Sequence, residues 1–98
     1  MKILAIEKEL PSASAEAFHP LLKDEARHIW ELQQSGMLRE IYFHAAQHNA
    51  VLVLECSSVQ EARQLLSNLP LVAAGLIEFE IIPLAAYDGF ARLFAEKD

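Results

Sequence analysis

A carboxylate on the apolar side of a helix is the first residue with a claim to chemistry. Leu21, Leu22, Ala26, Ile29 and Leu32 recur at the spacing of one helical face. At about 100° per residue, Glu25 falls between Leu21 and Ile29, inside that stripe. A carboxylate taken out of water is costly unless paired, and its pKa rises. A raised pKa suits it to proton transfer near neutrality. The same position also fits a glutamate bonded to a backbone group or to a histidine as plain structure. His28 is three residues on and so a helical neighbour of Glu25. The two can share a proton, or His28 can make an ordinary surface contact.

A second group of polar residues lies just downstream. Tyr42 and His44 alternate onto one face of a short strand, where either can orient a substrate carbonyl. Arg39 falls on the other face with Ile41 and Phe43. It can grip an anionic group bidentately, or simply be solvated near the strand start. His19, His28, His44 and His48 are widely spaced, and no pair follows a metal-ligand motif, so no metal is expected. Trp30 flanks the helical stripe and reads as packing. Cys56 closes an apolar strand, where cysteine acts as a small hydrophobe. There is no nucleophile elbow, phosphate loop or dinucleotide fingerprint, and no cofactor is expected.

The elements that must position these residues follow from periodicity and breakers. A strand over residues 2–8 is broken by Pro11, Ser12 and Ser14. A helix over about residues 20–35 starts at Pro20, where a missing N–H costs nothing, and ends at Gly36. Strands follow over 38–44 and 50–56. The unbroken apolar run of the latter marks a central strand covered on both faces. Ser58 and Glu61 form a capping box for a second helix, with Val59, Ala62, Leu65, Leu66 and Leu69 as its stripe. Pro70 stops that helix, and an apolar loop spans 71–75. A last strand over 76–82 puts Ile77, Phe79 and Ile81 on one side. The tail carries Phe90, Leu93 and Phe94 at helical spacing. It predicts either packing on the same subunit or, over residues 86–98, an arm across a dimer.

This β-α-β-β-α-β order predicts an α+β, ferredoxin-like domain over residues 1–98. Its four-stranded antiparallel sheet would carry two helices on one face. The opposite face bears Val and Leu of the third strand, for which water is a poor neighbour. Sheet-to-sheet pairing with a second copy is the natural cover.

Composition narrows the partners. The chain has 98 residues, 53% of them hydrophobic and 22% charged, which is too apolar for disorder. Its net charge of −6, from 14 acidic against 8 basic residues, shows no basic stripe for nucleic acid and repels anionic lipid. One cysteine allows no internal disulfide. No apolar run approaches the ~18–20 residues of a membrane helix, and no signal peptide is evident, so a reduced cytoplasmic setting is expected. The expected partners are a second copy of the chain and a small-molecule ligand.

Several of these residues also resemble a known family. Glu31-Leu-Gln-Gln-Ser-Gly36 is similar to the end of the first helix in muconolactone isomerases, and the chain from there to Cys56 aligns without a gap. Asn68-Leu-Pro-Leu71 resembles the family's Leu-Pro-Leu element after the second helix. The resemblance covers roughly residues 20–84. In it Glu25 meets a glutamate of the family, while a longer loop follows Leu71 and Tyr42-Phe43-His44 replaces an aromatic and arginine pattern. It implies a dimeric α+β barrel with a cleft between sheet and helices. The implied activity moves a double bond in a small lactone by proton abstraction and return. The expected reading is a small-molecule enzyme, with Glu25 and His28 as catalytic groups and Tyr42, His44 and Arg39 binding substrate. A non-catalytic binding or assembly module is the alternative. A cofactor-independent monooxygenase, which shares the barrel by resemblance, is a further one.

Overall fold

Alternating burial builds the sheet. In the computed structural model, which describes residues 1–95, β1 (Lys2–Glu9) buries Ile3 and Ala5. β3 (Ala50–Glu55) buries Ala50, Leu52 and Leu54, and pairs antiparallel with β1 so that Ala5 faces Leu52 and Ile3 faces Leu54. β4 (Ile77–Pro83) runs antiparallel along the other side of β1, with Ile81 opposite Ala5 and Phe79 opposite Glu7. β2 (Leu38–Phe43) pairs antiparallel with the free edge of β3. The sheet order is β2-β3-β1-β4, the ferredoxin-like arrangement of two interleaved strand-helix-strand halves.

The first helical segment starts earlier than its stripe predicts. Ser14 accepts a hydrogen bond from the Ala17 N–H at 3.0 Å and caps α1 (Ala15–Phe18). A 3₁₀ turn over His19–Leu21 containing Pro20 leads into α2 (Leu22–Ser35). Gly36 ends α2 at φ 85°, a left-handed conformation that only glycine adopts without a steric cost. α3 (Val59–Ser67) has the expected box with a shifted register. Ser58 Oγ accepts from the Glu61 N–H at 3.1 Å, but Glu61 reaches back to the Ser57 N–H at 2.8 Å, one residue before the cap.

Residues 71–75 are not the expected loop. Pro70 stops α3 and, needing no N–H partner, opens a second short helix, α4 (Pro70–Ala73). This turn gives Leu71 and Val72 a place to pack. One buried cluster gathers Ile3, Leu38, Leu52, Leu54, Ala62 and Leu66 between the sheet and α3. A second gathers Leu71, Leu76 and Ile77, with Phe18 and Leu21 packed against them. α2 has no buried residue. Ile29 and Leu32 only lean on the first cluster, so this helix stands off the sheet. Beyond β4, a 3₁₀ helix over Gly89–Phe94 leaves Phe90, Leu93 and Phe94 exposed, and residues 96–98 of the expected arm lie outside the described residues.

Candidate active site

The standoff of α2 leaves a cavity of about 630 Å³ between the helices and the sheet. Its walls are largely apolar: Phe18 before α2, Leu22 and Ile29 on α2, Phe43 on β2, and Ile77 and Phe79 on β4. Glu25 lines it from the first turn of α2. Its Oε1 accepts the Leu71 N–H at 2.9 Å. That N–H is in the first turn of α4, where the helix offers it no partner, so the carboxylate ties α2 to α4 by satisfying it. Among the described residues no other hydrogen bond reaches this carboxylate, so Oε2 has no partner there.

The electrostatics of Glu25 follow from this placement. Burial pushes its pKa above the usual carboxylate range. The Leu71 N–H opposes the rise, the nearby Glu7 carboxylate adds to it, and His28 works against it. The result is a carboxyl group that takes up a proton more readily than one in water.

Glu7 and Glu9, at the end of β1, also line the cavity and belong to no recognisable motif. Their positions share the period-two parity of Ile3 and Ala5, so alternation alone puts them on the helix side. Glu7 Oε1 accepts the Ala50 N–H at 2.8 Å, and its carbonyl accepts from Asn49 Nδ2 at 3.0 Å. Both contacts pin the β2–β3 turn to β1. In that turn His48 adopts φ 57° and stacks on Phe43, with ring centroids 4.0 Å apart and planes 19° from parallel. This is the histidine that lines the cavity. No motif signals it, because its place depends on a left-handed turn conformation and a stack on Phe43.

The other expected site residues are placed elsewhere. His28 is half-buried on α2, its Nδ1 3.0 Å from the Asp24 carbonyl, and does not line the cavity. Tyr42 lies on the opposite face of the sheet and donates to Glu40 Oε1 at 2.8 Å, which pushes its phenol up. His44 Nδ1 accepts the Ala46 and Gln47 N–H groups at 3.1 and 3.0 Å and so folds the β2–β3 turn. Arg39 sits in a β-bulge, where the register slips between Leu38 and Glu40. The bulge removes Arg39 from the face of Ile41 and Phe43, and its Nε donates to the Gly36 carbonyl at 2.6 Å. The structure thus brings Glu25 together with Glu7, Glu9 and His48, and does not bring it together with Tyr42, His44 or Arg39.

The chain matches the family model described as muconolactone delta-isomerase over residues 4–89. Among solved structures it is similar to a crystal structure of muconolactone isomerase, at 22% identity and a TM-score of 0.71, covering 90% of this chain and 92% of that one. It is also similar to 5-chloro-2-hydroxyhydroquinone dehydrochlorinase from Burkholderia phenoliruptrix AC1100 in complex with 2,5-dihydroxybenzoquinone. There identity is 17% and the TM-score 0.62, over 91% of this chain and 98% of that one. Comparison with curated proteins gives no match.

Proposed function

The chain belongs to the muconolactone delta-isomerase family, and from that premise we propose that it is a small-molecule enzyme shifting a double bond in a lactone or related carbonyl compound, with Glu25 carrying the proton. The observation that carries this reading is the Glu25 carboxylate, held on one oxygen by Leu71 and free on the other, in an open and mostly apolar cavity. An open cavity holding this carboxylate and a histidine supports an enzyme over a binding or assembly module, which would fill the space with side chains.

In the reaction, the Glu25 carboxylate takes a proton from one end of the unsaturated system. The electron pair spreads over the conjugated carbonyl, and the protonated carboxyl returns the proton at the other end. Atoms and charge balance without an oxidant. The Leu71 N–H fixes one oxygen so that the other meets the substrate in a constant geometry. The apolar walls offer water no partners beside the carboxylate, which favours return of the proton to the substrate over exchange. The enzyme works as a homo-oligomer, because the sheet face away from the helices and the tail both leave apolar side chains uncovered.

Turnover of unsaturated lactones by the wild-type chain and by Glu25→Gln tests the assignment. The expected loss in kcat is about 10²–10⁴-fold with the circular dichroism spectrum unchanged. Turnover unaffected by the substitution would remove Glu25 from the chemistry.

A further inference from the structure

The charge lining the cavity selects among substrates. Resting on the reading of the cavity as a substrate site, we propose that it takes an uncharged ligand, and that Glu7 and Glu9 turn away molecules that carry a carboxylate. Three acidic side chains, Glu7, Glu9 and Glu25, reach the cavity, and among its described lining residues there is no lysine or arginine. His48, the one basic side chain there, lies flat against Phe43 and presents a ring face as part of the wall. The nearby cations do not reach the cavity: Lys23, next to Leu22, is exposed on α2 and is not among the lining residues. Lys8 pairs with Glu80 at 3.7 Å, Arg27 pairs with Asp24 along α2, and Arg39 is bound to the Gly36 carbonyl.

An anionic ligand entering this space would leave water, meet carboxylates of its own sign and find no fixed countercharge. Beside apolar walls such repulsion is stronger than in bulk water. A neutral lactone or enone loses little on entering apolar walls and keeps its carbonyl for polarisation. Glu7 cannot swing away to make room, because its Oε1 holds the Ala50 N–H. Glu9, opposite Ile77 on the exposed end of β1, sets the potential at the rim.

Isothermal titration of the full chain with two butenolides tests this. β-Angelica lactone carries a methyl group where muconolactone carries a carboxymethyl group, so the pair isolates the charge. The neutral lactone is expected to bind at least about tenfold more tightly at neutral pH. The double substitution Glu7→Gln/Glu9→Gln, which keeps an acceptor for the Ala50 N–H, is expected to close most of that gap by tightening the anion. Equal or tighter binding of muconolactone to the wild-type chain would overturn the proposal and leave the substrate cavity standing. A gap that persists in the double variant would overturn the roles of Glu7 and Glu9. Binding of neither lactone would remove the substrate reading and this proposal together.

Discussion

Glu25 is where sequence and site meet most directly. Its place in the apolar stripe of α2 was legible from the helical wheel, because a 3.6-residue period fixes which way a side chain points once the helix is granted. The backbone partner, Leu71, was not legible, since it depends on Pro70 opening a helix that reads as a loop. Glu7 was legible in principle from the parity of β1, yet a glutamate in an otherwise ordinary strand carries no motif to mark it. The raised pKa of Glu25 has consequences with a definite sign. The folded chain holds this proton more tightly than the unfolded chain, so stability falls as pH rises from the unfolded value through the raised folded one. Glu25→Gln keeps the acceptor for Leu71 without the buried charge. Its melting temperature is expected to exceed the wild type's at neutral and alkaline pH, and the difference to shrink below the ordinary carboxylate range. A wild-type chain more stable than the variant at neutral pH would contradict this. Activity should run the opposite way. The carboxylate is the form that accepts the proton, so kcat/KM is expected to rise with pH through the raised pKa of Glu25.

At the scale of elements, local signals place most of the structure, and their failures have physical causes. Alternation finds the four strands and capping finds α3. The β2 bulge escapes notice because one extra residue reverses the parity of everything before it, which is why Arg39 leaves the face of Ile41 and Phe43. The standoff of α2 escapes too. A helical stripe reports which side faces inward but not how far the helix sits from the sheet, and that distance is what creates the cavity. The capping box of α3 is a local device and can be tested as one. Ser58→Ala removes the acceptor of the Glu61 N–H and is expected to cost about 1 kcal/mol in urea denaturation, whereas Ser58→Thr keeps most of it. An unchanged denaturation midpoint for the alanine variant would mean that Glu61, bonded to the Ser57 N–H, holds this terminus without the serine.

The shape of the molecule argues that one copy is incomplete. Its extents are 61 × 29 × 21 Å and its radius of gyration is 16.6 Å, against about 13 Å for a compact domain near this length. Two surfaces account for the difference between a finished fold and this one. Leu4, Ile6, Val51, Val53 and Ile82 lie only half-covered on the sheet face away from the helices. The tail then presents Tyr87, Phe90, Leu93 and Phe94, between 66% and 84% exposed, with Tyr87 and Phe90 packed edge to face 4.9 Å apart. Apolar surface of this extent in one small chain is what the proposed second copy would cover. Each large side chain that becomes fully buried on association contributes about 1.5–3 kcal/mol. Phe90→Ser together with Phe94→Ser therefore removes about 3–6 kcal/mol per copy from assembly, enough to weaken it about a hundredfold or more. Sedimentation at micromolar concentration is expected to give a dimer or larger species for the wild type and a smaller one for the double variant. Because both rings are already exposed within one copy, the variant's unfolding at high dilution should match the wild type's. A wild-type chain that sediments as a monomer would show that the sheet face and the tail meet solvent.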